Sequence, residues 1–408
     1  MNQAAGADHI MPVHHPILGL LGRLVFLLTL VLFCCSWLVL FSAPTSLLWI
    51  VAIVIGEWGH FAALLSITLA IVGWRFGRWG RMGAVLALAT AAICLSPVVR
   101  AAFVSRSLPA RCASAFGPAP GSRPQPLNLL DLFRGVRSSR STVTEHVYAK
   151  EGTKRLSLDL YLPENAAAGP ALPLVLMVHG GSWNGGSKAQ LPAMNRYLAQ
   201  SRYAVASINY RHAPKHQSPK AVEDVFRAID FLKASAASLH VDASRVVLIG
   251  RSAGGQIALS AAYSAREPAI RGVIGFYAPT DMVLGYEKPS RRWVLDSKKV
   301  LGDYLGGTPK ENPASYAAAS PINFVSAATP PTLLIHGGLD PVVWPSHGEL
   351  LAARLRQAQR PHLYLHLPWA THGCEANLSG PSGQLSLYAL ERFLAAVLPP
   401  APDAGKTP

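Results

Sequence analysis

The run RVVLIGRSAGGQIALSAAY, Arg245 to Tyr263, limits the folds open to this chain more than any other segment. Its first half is a short, unbroken apolar stretch of the kind that is buried on both faces of a sheet. Its second half, rich in Ala, reads as a helix. Between them GRSAG, Gly250 to Gly254, leaves room only for a sharp, glycine-flanked turn. A buried strand passing directly into a helix calls for a parallel sheet with helices laid back along its faces. Such a turn lifts the Ser252 hydroxyl out of the sheet, and the helix that starts there aims its N–H groups and positive dipole end at the same point.

The same alternation runs through residues 141–398. TVTEHVYA and RLSLDLYLP read as an antiparallel edge pair. LPLVLMVHGG, YAVASINYR, RVVLIG, IRGVIGFYAP, PPTLLIHGG and HLYLHLPW follow as buried strands, which makes eight candidates in one domain. Val222, Val225, Ile229 and Leu232 form one helical stripe between strands, and Leu387, Leu390, Leu394 and Val397 another. The expectation is an α/β fold with an eight-stranded, mostly parallel sheet and helices on both faces. The longest insertion, from Asp281 to Asn323, is expected to form a small cap.

A serine needs a base to take its proton and a carboxylate to orient that base. In a sheet of this kind only loops at the C-terminal ends of the strands converge on such a serine. On an elbow of this type the partners follow in the order acid, then histidine. Asp340, after TLLIHGG, and His372, after HLYLHLPW, meet both conditions. Asp281 follows a strand too, but one strand too early. His336 and His366 lie inside apolar runs and read as sheet or core residues, His347 as part of a helix, and Cys374 as a packed thiol. VHGGSW, Val178 to Trp183, supplies a glycine loop whose backbone N–H groups can turn towards a developing oxyanion. Gly180 and Gly181 are the candidate donors, with Ala253 after the nucleophile. Trp183 is a candidate wall of the substrate pocket, and His179 a structural residue of the loop.

Residues 1–112 have a different character. They hold 7 of the 37 Lys/Arg and 2 of the 22 Asp/Glu. Leu24 to Phe41 carries no charge and as a helix spans about 27 Å, close to the hydrocarbon thickness of a bilayer. A second apolar stretch runs from Leu47 to Trp74 across GEWGH, and a third from Met82 to Phe103. About three transmembrane helices are therefore expected. The second is either one tilted helix or an interfacial piece followed by a span from Phe61. Arg75, Arg78 and Arg81 put the second loop in the cytoplasm, which leaves the C-terminal domain on the non-cytoplasmic side. The net charge of +15 fits contact with anionic lipid head groups, since no nucleic-acid recognition motif accompanies it. Residues 113–140, rich in Pro, Gly and Arg, read as a linker, and residues 399–408 as a tail. The five cysteines have no metal or disulfide spacing, so no metal and no cofactor is expected.

Taken together, HGGSW, GRSAGG, LLIHGGLDPVV and WATHG resemble the HGG-motif esterases, that is, the hormone-sensitive-lipase-like and feruloyl-esterase-like α/β-hydrolases. SINYRHAP and SPKAVEDV are similar to further segments of that group. The resemblance covers roughly residues 142–398. It implies an α/β-hydrolase fold preceded by an all-α membrane region, and a serine carboxylesterase or lipase acting on small acyl esters, lipids among them. It puts the triad on Ser252, Asp340 and His372 and the oxyanion donors on Gly180, Gly181 and Ala253. Two alternatives stand beside this expectation: an amidase of the aryl-formamidase type, and a non-catalytic binding domain. Arg251 departs from the family pattern, since an acidic residue is usual there. HGGS replaces the commoner HGGG, and Cys374 stands where an aromatic residue is common.

Overall fold

A computed structural model describes residues 16–136, 141–164, 166–264 and 266–399. The first fifteen residues, the last four of the expected linker and the expected tail from residue 400 lie outside them. The described residues form two compact units, those up to 37 with 59–96 and those of 38–58 with 97 onwards.

Three long helices occupy the N-terminal region: α1 (Pro16–Ser36), α2 (Ser46–Gly73) and α3 (Gly77–Phe116). All three are long and apolar enough to cross a membrane. GEWGH does not interrupt α2. Its two glycines add no bulk and the helix continues through them, which leaves Glu57 and His60 buried along its length. Likewise α3 passes through Pro97 and Pro109 and runs beyond the expected third stretch. In the first unit Thr29 donates its hydroxyl back to the Val25 carbonyl, so the helix satisfies this polar group without water. The Phe26 and Trp79 rings meet edge to face, 5.3 Å apart.

In the second unit lies one eight-stranded sheet with the order β1-β2-β4-β3-β5-β6-β7-β8. The strands are β1 (Ser141–Glu151), β2 (Lys154–Pro163), β3 (Leu172–Val178), β4 (Ala204–Ile208), β5 (Val241–Arg251), β6 (Ile270–Phe276), β7 (Thr332–Gly337) and β8 (His362–Leu367). β2 pairs antiparallel with both β1 and β4, while β4, β3, β5, β6, β7 and β8 form a parallel block. Every residue of LPLVLMV in β3 is buried because helices cover both faces, whereas β1 is largely exposed at the edge. The helices Lys220–Ala234 and Ala253–Tyr263 pack with Leu174, Leu176 and Leu248 on one face. The helices Pro192–Gln200 and Pro381–Val397 pack with Val175, Val247 and Ile274 on the other, joined by Ala101 and Leu108 of α3. Within the expected linker, Ser122 donates to Glu391 at 2.5 Å, and Arg123 pairs with Asp131 at 2.9 Å. Between β6 and β7 the expected cap segment carries three short helices, Met282–Glu287, Ser297–Leu305 and Pro313–Ala318.

Candidate active site

The parallel block brings four loops to one end of the sheet. β3 delivers the HGGSW loop, β5 delivers Ser252, and β7 and β8 deliver Asp340 and His372. Ser252 caps the helix Ala253–Tyr263 with φ +52° and ψ −123°, a conformation that L-residues rarely adopt. The turn is crowded. A Cβ on Gly254 would lie 2.3 Å from the carbonyl oxygens of both Val178 and His179, so the helix start is seated directly on the end of β3. On the HGGSW side, a Cβ on Gly180 would come 3.3 Å from Ser252 Cβ. Gly181, at φ +129°, leaves no room for a side chain against the Gly185 carbonyl.

Asp340 is 1% exposed. Its Oδ2 lies 2.7 Å from His372 Nδ1, and its Oδ1 accepts the N–H groups of Val342 and Val343 at 2.8 and 2.9 Å. Burial pushes its pKa up, but the imidazoles of His372 and His336 and the hydrogen bonds outweigh that and hold the carboxyl well below its ordinary range. Ser252, Gly180, Gly181 and His372 line one cavity of about 320 Å³. A second, smaller cavity of about 40 Å³ reaches Ser252 and Ala253 from the cap side and is bounded by Trp183. Trp183 is stacked on Tyr304 at 4.6 Å and donates Nε1–H to Gln256.

Four features escaped the reading of the sequence. Gly180 N–H donates to Gln190 Oε1 at 2.8 Å, so this donor is engaged, with a carboxamide oxygen in the position of a partner. Gln190 sits in a polar loop with nothing around it to mark it. His336 lies 3.4 Å from Asp340 Oδ2 and also bonds the Val343 carbonyl. It is a buried residue of β7, as its apolar run suggests, and it also borders the acid. Arg251, the departure from the family pattern, forms a buried pair with Glu375, Nε to Oε1 at 2.8 Å, and Tyr277 donates to the same oxygen at 2.6 Å. This pair ties the elbow to the loop that carries His372. Finally, Glu57 of α2 accepts the Ser382 N–H at 3.2 Å and so caps the helix Pro381–Val397, whose first turn has free N–H groups to satisfy. Asp281 is a helix cap that accepts the Leu284 N–H, and His347 lies in the helix Ser346–Gln357 and accepts the Thr280 N–H.

Two of these histidines make stability pH-dependent. Burial lowers His179 to about 4 and His347 to about 3. Unfolded, each takes a proton near pH 6.5; folded, neither does until the pH is far lower. The unfolded chain therefore binds more protons between pH 6.5 and 4, and stability is lost as pH falls through that window. Each histidine contributes a loss on the order of 1–2 kcal/mol at pH 5. The expected result is a lower thermal midpoint for the full chain in detergent at pH 5 than at pH 7.5; an unchanged midpoint would show that these rings are not held neutral.

Comparison with known proteins agrees with this architecture. Residues 158–355 match the BD-FAE family model. The chain is 30% identical over 251 residues to esterase LipC of Mycobacterium tuberculosis, covering 58% of this chain and 61% of LipC. It is 26% identical over 289 residues to the probable carboxylic ester hydrolase LipM of the same organism, covering 67% of this chain and 64% of LipM. The chain thus spans less than two thirds of the length of these relatives. Among solved structures, a thermophilic esterase from Thermogutta terrifontis superposes with a TM-score of 0.52 at 25% identity, over 65% of this chain and 95% of that one. A fungal esterase from Rhizomucor miehei superposes with a TM-score of 0.56 at 20% identity, over 73% and 90%. The sheet, its elbow and these likenesses define an α/β-hydrolase fold. Within that fold the resemblance is to the hormone-sensitive-lipase-like and BD-FAE esterases.

Proposed function

We propose that this chain is a membrane-anchored serine carboxylesterase that hydrolyses acyl esters through Ser252, His372 and Asp340. The observation that carries the reading is the buried Asp340–His372 bond beside the cavity that Ser252 lines, at the ends of β5, β7 and β8. The relatives named esterases support it. His372 takes the Ser252 proton as the hydroxyl oxygen attacks the ester carbonyl carbon. Backbone N–H groups of Gly181 and Ala253, and of Gly180 once Gln190 moves away, steady the oxyanion. The carbon–oxygen bond to the alcohol then breaks, and His372 returns the proton to the departing oxygen. Water, activated by the same imidazole, frees the acid from the acyl-enzyme.

In this reading residues 1–112 anchor the chain, 113–140 connect, and 141–398 catalyse. Residues 38–58 fall in the same compact unit as the catalytic domain, which supports putting the α1–α2 connector and that domain on one side of the membrane. The arginines of the next loop support the non-cytoplasmic side. Full-length protein in detergent is expected to hydrolyse p-nitrophenyl acetate and p-nitrophenyl butyrate, and a fluorophosphonate is expected to label Ser252. Folded protein without turnover, or with the label on another residue, counts against the proposal.

A further inference from the structure

The larger cavity is not built by the hydrolase domain alone. Trp49 and Ile53, on the first turns of α2, form part of its wall together with Leu191, Val294, Leu295 and Val342. The contact is specific as well as apolar. Trp49 Nε1–H donates to the backbone carbonyl of His372 at 2.8 Å, and the two rings meet edge-on at 5.8 Å. A Cβ on Gly373 would touch Ile53 Cδ1 at 3.3 Å, so only glycine lets α2 approach the histidine loop this closely without adjustment. α2 is also one of the helices apolar enough to cross a membrane, at a mean hydropathy of 1.8.

Chemistry distinguishes the two cavities. The departing alcohol oxygen takes its proton from the His372 imidazole, so the alcohol must lie on the side that His372 lines, which is the side of Trp49 and Ile53. The acyl chain is left with the other cavity, which Ser252 and Ala253 line and His372 does not. That space, about 40 Å³ among Trp183, Met282, Val300, Leu301 and Val343, has room for roughly three water-sized groups. It favours a short acyl chain over a long one.

Resting on the esterase reading above, we infer that the substrates are short-acyl esters of apolar, membrane-partitioning alcohols. The alcohol lies along Trp49 and Ile53, and Trp49 is also a positioning residue for His372.

An isomer pair tests this. Dodecyl acetate and ethyl dodecanoate have the same composition and differ only in which side of the ester is long. With full-length protein and phosphatidylcholine vesicles carrying either ester, dodecyl acetate is expected to have a kcat/KM about tenfold or more higher. Trp49→Ala is expected to raise KM for dodecyl acetate about tenfold. Trp49→Phe keeps the wall and loses the hydrogen bond, so it is expected to lower kcat several-fold with KM little changed. Ile53→Ala, which leaves the His372 contact intact, is expected to raise KM alone. Equal rates for the isomers, or a preference for ethyl dodecanoate, overturn the cavity assignment while p-nitrophenyl acetate is still hydrolysed. Loss of turnover on all three esters in folded protein overturns the esterase reading and this inference with it.

Discussion

Ser252→Ala is expected to lower kcat for p-nitrophenyl butyrate by about a millionfold, and Asp340→Asn by about ten-thousandfold, each with KM changed little. In the proposed mechanism the two losses differ because the residues do different work. Without the Ser252 oxygen no acyl-enzyme forms, and only the oxyanion donors and substrate positioning remain. Asp340 never bonds to substrate. Its Oδ2 accepts from His372 Nδ1 while its Oδ1 is fixed by two backbone N–H groups, so the carboxylate cannot turn away. An asparagine held by the same two N–H groups would keep its oxygen there and present its NH2 to His372. The ring would then favour the tautomer with the proton on Nε2, where it cannot receive the serine proton. The amide would also fail to stabilise the imidazolium. Because the three residues act as a unit, the double variant is expected to be little worse than Ser252→Ala. A loss under about tenfold in Asp340→Asn, measured by steady-state kinetics on protein with an unchanged circular dichroism spectrum, would remove Asp340 from the mechanism.

The second large effect is on stability. Arg251 and Glu375 are both about 2% exposed and bonded at 2.8 Å. Removing one partner leaves a buried charge with no counter-charge, at a cost of about 3–5 kcal/mol. Glu375→Leu is therefore expected to destabilise the protein severely. Arg251→Met with Glu375→Leu is expected to recover much of the loss, because both desolvated charges are gone together, although the Tyr277 hydroxyl then lacks its acceptor. Chemical denaturation of the four proteins of the cycle measures the coupling. Additive losses would show that the two residues act independently and that Arg251 owes its place to something else. The pair also accounts for the departure from the family pattern. The charge at the elbow is positive here, and the carboxylate that answers it comes from the loop after His372.

The sequence determined the parts whose cause is local or periodic. The apolar runs of β3 to β7 became central strands because a strand covered on both faces has few other compositions available to it, and the first two candidates became the antiparallel edge pair β1 and β2. The strand–glycine–helix junction at Ser252 was legible because a sharp elbow tolerates few residues, and the order of motifs carried Asp340 and His372 with it. Three long apolar helices were legible from the length and composition of their stretches. What only the tertiary structure decided depends on groups far apart in the chain. Gln190 on the Gly180 N–H, Glu375 beneath Arg251, and His336 beside Asp340 are ordinary polar residues, placed by the sheet order and by nothing in their neighbours. The unbroken α2 belongs with them. Its glycines permit a break in the sequence, but Glu57 finds the N-terminus of the helix Pro381–Val397 and Trp49 finds the His372 carbonyl, both more than three hundred residues away. Such contacts are long-range hydrogen bonds made only once a buried polar group must be satisfied inside the fold, so no local pattern announces them.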